Sequence, residues 1–177
     1  MINRQIVLAS YVSDAAQPEN FALSEGPVAD VGDGQFLLRN MYFSMEPAIR
    51  GWVDGKANYF EPIAIGGVIR GPSVGQVIKS CNKDFAEGDY VFALNQWEDY
   101  SICHSDAILL EKLSPEEGIP LSYYVGSLGG AGATAYIGLH EVGQIQAGQT
   151  VVVSAAAGAT GSMAGQIAKL CGCTVIG

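Results

Sequence analysis

The first two thirds of the chain alternate short apolar runs with turn residues. Runs of β type stand at residues 5–9, 20–24, 35–42, 74–80, 90–94, 99–103 and 107–112. Gly, Pro, Asn and Asp separate them, most clearly at 32–34 and 87–89. Short strands spaced by such turns indicate an antiparallel barrel or sandwich. Residues 44–52 break the pattern and predict a short helix over one end of the barrel, with Pro47 in its first turn.

A helix start is predicted near residue 114. Ser114 and Glu117 are spaced as in a capping box, and Pro115 stands at the first helical position. Residues 121–139 then carry no charge, which is long enough for a membrane span. Because glycines and hydroxyl side chains make this run poorly lipophilic, we instead expect a Gly-rich loop leading into a buried helix over 133–139.

The last segment has the pattern of a βαβ unit. Residues 150–154 predict a strand buried on both faces, as in a parallel sheet. A small-residue turn follows at 155–161, then a helix over 162–171 that Gly172 ends. Residues 173–177 open a second strand, so the order is strand, glycine turn, helix, strand.

The glycine turn of this unit is a candidate dinucleotide site. Unpaired backbone N–H groups and the positive end of a helix dipole suit a diphosphate. Gly158 would let the backbone approach the diphosphate, and Gly161 would let helix and strand pack closely, although Ala156 stands where the usual fingerprint has its first glycine. The alternative is a merely tight turn. The candidate cofactor-binding residues are Ala156, Ala157, Gly158, Ala159, Thr160 and Gly161.

Charge is low and unevenly distributed. The chain has 18 acidic and 9 basic residues, a net charge of −9, which argues against nucleic acid and anionic membranes as partners. Beyond residue 117 the only charged residues are Glu141 and Lys169. This step predicts two domains, 1–117 and 118–177.

No secretory signal is evident at the N-terminus, so a cytoplasmic location with reduced thiols is expected. Cys103 and His104 would point to opposite faces of a strand, and Cys171 and Cys173 have no second pair nearby. We therefore predict no metal site. Hydrolysis is not indicated either, because no G-x-S-x-G elbow is present.

Five segments resemble the zinc-independent medium-chain dehydrogenases/reductases. They are SMEPAIRG at 44–51, NYFEPI at 58–63, GVIRGPSVG at 67–75, GATAYIGL at 132–139 and TVVVSAAAGATGS at 150–162. Within that superfamily the sequence is most similar to prostaglandin reductases, plant alkenal double-bond reductases and bacterial curcumin reductases. The resemblance runs in order along essentially the whole chain.

This resemblance implies a mixed β and α/β fold, with a GroES-like, partly open β-barrel followed by the first βαβ unit of a Rossmann domain. It further implies NADP as cofactor and reduction of the C=C bond of α,β-unsaturated aldehydes and ketones by hydride transfer to the β-carbon, without metal. The expected partners are a small enone or enal and a second copy in a homodimer. The alternatives are quinone reductase activity, or a non-catalytic fragment that acts as a folding or dimerising module.

The same resemblance suggests roles for individual residues. Tyr59 is the expected catalytic donor to the substrate carbonyl, the alternative being an aromatic ring packed in a loop. Thr134 matches a position beside the nicotinamide, although a helical Thr often bonds only its own backbone. Arg50 and Arg70 are expected to form structural ion pairs with nearby acids rather than to bind phosphate.

Two positions depart from the family pattern. Ala48 stands where relatives carry an aromatic residue, so one wall of the expected substrate pocket is missing and the substrate is not specified. Gly130 stands where they carry a bulky residue, which would loosen the nicotinamide pocket. Relatives also continue for roughly as many residues again, and the residue that separates NAD from NADP would follow Gly177.

Overall fold

The computed structural model describes all 177 residues, which form two compact units, Met1–Glu117 and Gly118–Gly177. The division falls where the charge along the sequence drops. The first unit is built from antiparallel strands and one short helix, and the second from helices and two parallel strands.

Seven strands form the first unit. A two-stranded sheet pairs β1 (Ile2–Leu8) with β2 (Phe21–Pro27), which follows a short 3₁₀ turn at Pro18–Asn20. A five-stranded antiparallel sheet has the order β6-β3-β4-β5-β7. Its strands are β3 (Gln35–Phe43), β4 (Arg70–Ser80), β5 (Tyr90–Gln96), β6 (Tyr100–His104) and β7 (Glu111–Leu113).

The two sheets meet along a seam without closing into a full barrel. Single antiparallel bridges, Gln5 with Glu98 and Val7 with Val68, connect β1 to the segments beside the larger sheet. The predicted strand-rich, partly open barrel is therefore confirmed. The predicted turn at 87–89 is confirmed as well, where Gly88 adopts φ +92°, a value that favours glycine.

Two apolar clusters hold this unit together. One lies under helix α1 (Pro47–Trp52), which begins three residues later than the predicted start at 44 and ends at Trp52 as predicted. Its buried members are Leu8, Val12, Ile49, Trp52, Val53, Ile63 and Ile69. The second cluster lies on the larger sheet, where the rings of Phe36 and Phe85 stack with centroids 4.6 Å apart.

Two local predictions in this unit are wrong. The pattern at Ser114 and Glu117 does not start a helix, because the chain turns at Gly118 (φ +83°) and the next element is a 3₁₀ helix at Leu121–Val125. The strand predicted at 107–112 is reduced to β7, because Leu109 adopts φ +57° and turns the chain before it.

The second unit contains the predicted βαβ unit. Helix α2 (Gly130–Ile137) continues into a π-helical turn at Gly138–Val142. Strand β8 (Thr150–Val152), helix α3 (Ala159–Leu170) and strand β9 (Thr174–Ile176) follow, and β8 pairs with β9 in parallel. The parallel pairing confirms the start of a Rossmann fold.

The expected burial of the first strand of this unit is wrong. Val152 is 73% exposed and Ile176 is 55% exposed in this two-stranded sheet. No helix of the protein combines the length and the apolar character that crossing a membrane requires.

Candidate functional site

The turn between β8 and α3 has the geometry of an anion-binding loop. Ala155 adopts φ +51°, and its carbonyl accepts a hydrogen bond from the Gly158 N–H at 2.8 Å. Gly158 caps α3 in an extended conformation, and its carbonyl accepts the first helical bond from the Ser162 N–H at 2.8 Å. The N–H groups of residues 159–161 therefore precede the hydrogen-bond ladder of the helix.

These backbone groups are the electrostatic basis of the site. The first N–H groups and the aligned peptide dipoles give a helix start a partial positive charge. The helix start itself carries no Lys or Arg; the only one in the second unit, Lys169, lies in the last turn of α3, where it lines a groove that also includes Gly161. An anion at this turn would therefore be held by the main chain.

Gly161 allows the turn to lie directly on the helix. A Cβ atom at Gly161 would collide with the Ala155 carbonyl oxygen and would lie 3.0 Å from the Ala156 Cα. The predicted close packing at this glycine is present, but the contact is with the turn itself rather than with the strand.

Two grooves flank the turn. One, of about 430 Å³, is lined by Val152, Ser154, Ala155, Gly158, Thr160 and Gly161. The other, of about 560 Å³, includes Ala156, Gly161, Ser162 and Gly165 in its lining. The six candidate residues thus form one continuous loop with a groove on each side.

The remaining cofactor candidate, Thr134, lies on α2 and is exposed. It lines neither groove beside the turn. Ala157 and Ala159, within the turn, also line neither groove.

Tyr59 lies in the loop between α1 and β4. Its side chain is 75% exposed, and its ring tilts against Phe60 with centroids 5.3 Å apart. Asn58 fixes the loop on both sides, because its Nδ2 donates to the Gly51 carbonyl at 2.7 Å and its Oδ1 accepts from the Phe60 N–H at 2.8 Å. The loop is thus anchored while the phenol faces solvent.

Arg70 anchors the same loop from β4. Its guanidinium lies 5.4 Å from the Trp52 ring centroid and 5.3 Å from that of Phe60, and it donates to the Glu61 carbonyl. Burial lowers the Arg70 pKa, and its buried Nε has no hydrogen-bond partner. No carboxylate lies within ion-pair distance, so the ion pair expected for Arg70 is wrong, and aromatic stacking takes its place.

Arg50 does have an acidic neighbour. Its guanidinium lies 4.0 Å from the Asp54 carboxylate one helical turn on, and also donates to the Asp14 carbonyl at 2.9 Å and 3.2 Å. These contacts confirm a structural role.

The sequence analysis missed a buried polar network around Glu98. Its carboxylate accepts hydrogen bonds from Asn3 Nδ2 at 2.9 Å, Gln5 Nε2 at 2.6 Å and Ser101 Oγ at 2.8 Å. Burial, and secondarily the Glu98 charge, raises the pKa of Cys103 to about 12. These side chains line part of a cavity of about 580 Å³ in the first unit. Polar residues at alternate positions of β1, Asn3 and Gln5, are the signal that could have indicated it.

The two departures from the family pattern have different surroundings. Ala48 packs against the apolar cluster under α1. Gly130 has open space where a Cβ would stand.

Comparison with known proteins agrees with this architecture. Residues 4–110 match the family of the N-terminal domain of oxidoreductases. The chain is 44% identical over 175 residues to an NADPH-dependent curcumin reductase of Escherichia coli, covering 99% of this chain and 50% of that protein. It is 36% identical over 179 residues to an NADP-dependent 2-alkenal reductase of Nicotiana tabacum, covering 99% of this chain and 52% of that protein.

A solved structure extends the likeness to three dimensions. CurA from Vibrio vulnificus in complex with NADPH superposes with a TM-score of 0.87 at 43% identity, covering 98% of this chain and 51% of that one. The chain thus spans about half the length of the curated relatives it matches. By its ordered motifs, its fold and these similarities, the chain belongs to the curcumin, alkenal and prostaglandin reductase family of medium-chain dehydrogenases/reductases.

Proposed function

We propose that this chain carries the substrate-side unit and the first nucleotide-binding unit of an NADPH-dependent reductase of α,β-unsaturated aldehydes and ketones. The observation that carries the proposal is the glycine turn between parallel strands β8 and β9, in a chain 44% identical to a curcumin reductase. NADPH, when bound, would supply the hydride for the β-carbon of the substrate.

The residues of the turn would hold the diphosphate of the cofactor. The N–H groups of residues 159–161 and the α3 dipole favour an anion there, and within the second unit Glu141 is the only acidic residue that could repel it. Ala156, Ala157 and Gly158 supply the preceding backbone. Thr134, exposed on α2, would contact the nicotinamide end.

Tyr59 would act on the substrate carbonyl. When a hydride reaches the β-carbon of an enone, negative charge develops on the carbonyl oxygen, and a hydrogen-bond donor aimed there stabilises the transition state. Tyr59 has an exposed phenol on a loop whose backbone Asn58, Phe60 and Arg70 hold in place. This combination of a free donor and a fixed backbone suits the role.

Binding of the cofactor tests the first half of the proposal. The purified chain is titrated with NADPH while nicotinamide fluorescence is followed, and a micromolar dissociation constant, about −8 kcal/mol, is expected. NADH serves as the comparison. Absence of binding to either nucleotide would refute the role assigned to the turn.

Turnover tests the second half. Loss of NADPH absorbance is followed with a 2-alkenal, with curcumin and with a quinone, and reduction of the first two in preference to the quinone is expected. A preference for the quinone would favour quinone reductase activity instead.

A second candidate is a non-catalytic module that associates through the second unit. Exposed Val152, Ile176 and Leu170 favour it, because strand faces and helix residues of this kind seek a covering partner. Sedimentation velocity separates the two: a concentration-dependent assembly without NADPH binding supports the module.

A further inference from the structure

A cysteine and a histidine that the proposed function does not use lie together in the second unit. Cys171 directly follows α3, and His140 lies in the π-helical turn after α2. The Cys171 Sγ is 3.7 Å from the His140 Nε2, and both residues are half-buried. Because α3 has 12 residues and each rises about 1.5 Å, this pair lies about 18 Å from the glycine turn.

Both members of the pair are held by their surroundings. The His140 ring lies against the ring of Tyr136, one helical turn earlier, with centroids 4.5 Å apart and planes at 44°. The Cys171 N–H donates to the Ile167 carbonyl at 3.0 Å at the end of α3. The contact therefore joins two helical segments and does not depend on a free loop.

The pair places a thiol within hydrogen-bond reach of an imidazole. A thiol reacts as its thiolate, and an imidazole within reach of the sulfur can take the thiol proton. The tautomer of His140 that carries its hydrogen on Nδ1 leaves Nε2 free to accept that proton. Partial exposure gives a small electrophile access to the sulfur.

We propose that Cys171, with His140 as its base, is a site of covalent addition for α,β-unsaturated aldehydes and ketones. The thiol proton passes to His140 Nε2, and the sulfur lone pair forms an S–C bond to the β-carbon of the electrophile. The π electrons of the C=C bond move to give an enolate, whose α-carbon then takes the proton back from the imidazolium. The net change is addition of S–H across C=C, with no oxidant or reductant. The proposal rests on the proposed function only for the class of electrophile.

The other three cysteines provide controls within the same chain. Cys81 is exposed and lines a surface pocket together with His104, but no hydrogen bond joins its thiol to that ring. Cys103 is buried and its pKa is raised to about 12, so it should stay unreactive. Cys173 is buried, and its Sγ donates to the Gln146 carbonyl at 3.3 Å. If exposure alone governed reactivity, Cys81 would react first, whereas activation by His140 places Cys171 first.

The experiment follows alkylation of each cysteine without NADPH. The purified chain is incubated with trans-2-hexenal, the adducts are fixed with borohydride, and each cysteine peptide is quantified over time by mass spectrometry. We expect Cys171 to react about tenfold faster than Cys81. Hexanal, which lacks the C=C bond, should give no stable adduct on sulfur.

The variant His140→Phe keeps a ring beside Tyr136 and removes the base. Alkylation of Cys171 should slow about tenfold in this variant, while the rate at Cys81 stays unchanged. If buried Cys103 becomes alkylated in His140→Phe, the variant has lost its fold. In that case the Cys171 rate is measured in His140→Gln and compared with the wild type. Faster reaction at Cys81 than at Cys171 in the wild type, or an unchanged Cys171 rate in a folded His140 variant, would overturn the proposal.

Failure here is distinct from failure of the proposed function. Addition to Cys171 needs no NADPH, so a chain that is alkylated at Cys171 but reduces no enone would leave this inference in place. A chain that reduces enones but shows no preference for Cys171 would refute this inference alone.

Discussion

Replacing Gly161 with alanine tests whether the glycine turn determines nucleotide binding. The new Cβ would collide with the Ala155 carbonyl oxygen and lie 3.0 Å from the Ala156 Cα, so the turn has to move away from the helix. Overpacking of this kind costs about 1–3 kcal/mol. Alanine in place of glycine within a helix contributes about 1 kcal/mol in the opposite direction. The net destabilisation should therefore reach about 2 kcal/mol at most.

The same strain should weaken binding of NADPH. If the diphosphate needs the turn in its present shape, the complex has to restore that shape, and about 2 kcal/mol corresponds to a dissociation constant up to about 30-fold higher. Gly165→Ala is the matched control in the same helix. Its Cβ would lie 3.6 Å from the Val175 Cγ1, an ordinary contact, so affinity should stay unchanged and stability should rise by up to about 1 kcal/mol.

Fluorescence titration with NADPH and thermal unfolding of the two variants and the wild type measure both effects. The reasoning fails if Gly161→Ala binds NADPH and unfolds as the wild type does. It also fails if Gly165→Ala loses as much affinity as Gly161→Ala, because the helix rather than the turn would then be the sensitive element.

Three further predictions concern the first unit. Tyr59→Phe keeps the ring against Phe60 but removes the hydrogen-bond donor. Steady-state rates with a 2-alkenal should therefore fall by about 10- to 100-fold, while NADPH affinity and melting temperature stay constant. An unchanged rate would show that Tyr59 has no catalytic role. Phe36→Ala should lower the free energy of unfolding, measured in urea, by about 3–5 kcal/mol. Leu23→Ala, at a position 62% exposed, should change it by less than about 0.5 kcal/mol. Similar losses of stability in the two variants would contradict the assigned core. The hydrogen bond from Arg4 lowers the pKa of Asp99, so its stabilising contribution is present above the unfolded-state pKa and is lost as pH falls through the lowered value. Melting temperatures at acid pH should therefore decline less steeply in Asp99→Asn, and an equally steep decline would contradict this.

The elements that were predicted well are those that a local pattern of apolar and small residues determines. The order of strand, turn, helix and strand after residue 150 is as expected, because a short apolar run, small turn residues and a helix period succeed each other there. The capping pattern at Ser114 and Glu117 failed because a cap alone does not form a helix. Nucleation is unfavourable unless an apolar face can pack, and Gly118 instead takes a left-handed turn.

Contacts between segments that are far apart in the sequence could not be predicted from local patterns. Arg70 was expected to pair with an acid because relatives bind the extra phosphate of the cofactor with residues further along the chain. In the fold, its guanidinium lies against the adjacent rings of Trp52 and Phe60, and this contact with aromatic rings competes with an exposed ion pair of small net value. The outcome depends on how α1 and the following loop pack on β4, which no local pattern encodes.

The seam between the two sheets shows why the polar network stayed hidden. Asn3 uses its side-chain amide as a strand would use its backbone, since Nδ2 donates to the Tyr100 carbonyl at 2.8 Å and Oδ1 accepts from the Tyr100 N–H at 3.0 Å. With Nδ2 also bonded to Glu98, one side chain ties β1 to a segment 95 residues away. A polar residue in a strand ordinarily faces water, so Asn3 considered alone would be assigned to the surface. Burial becomes favourable only because every polar atom there finds a partner, and an orphaned one would cost about 1–3 kcal/mol. Side-chain hydrogen bonds therefore reinforce the backbone hydrogen bonds of this seam, where the Ile6 N–H donates to the Trp97 carbonyl at 2.9 Å and the Asp99 N–H donates to the Arg4 carbonyl at 3.0 Å.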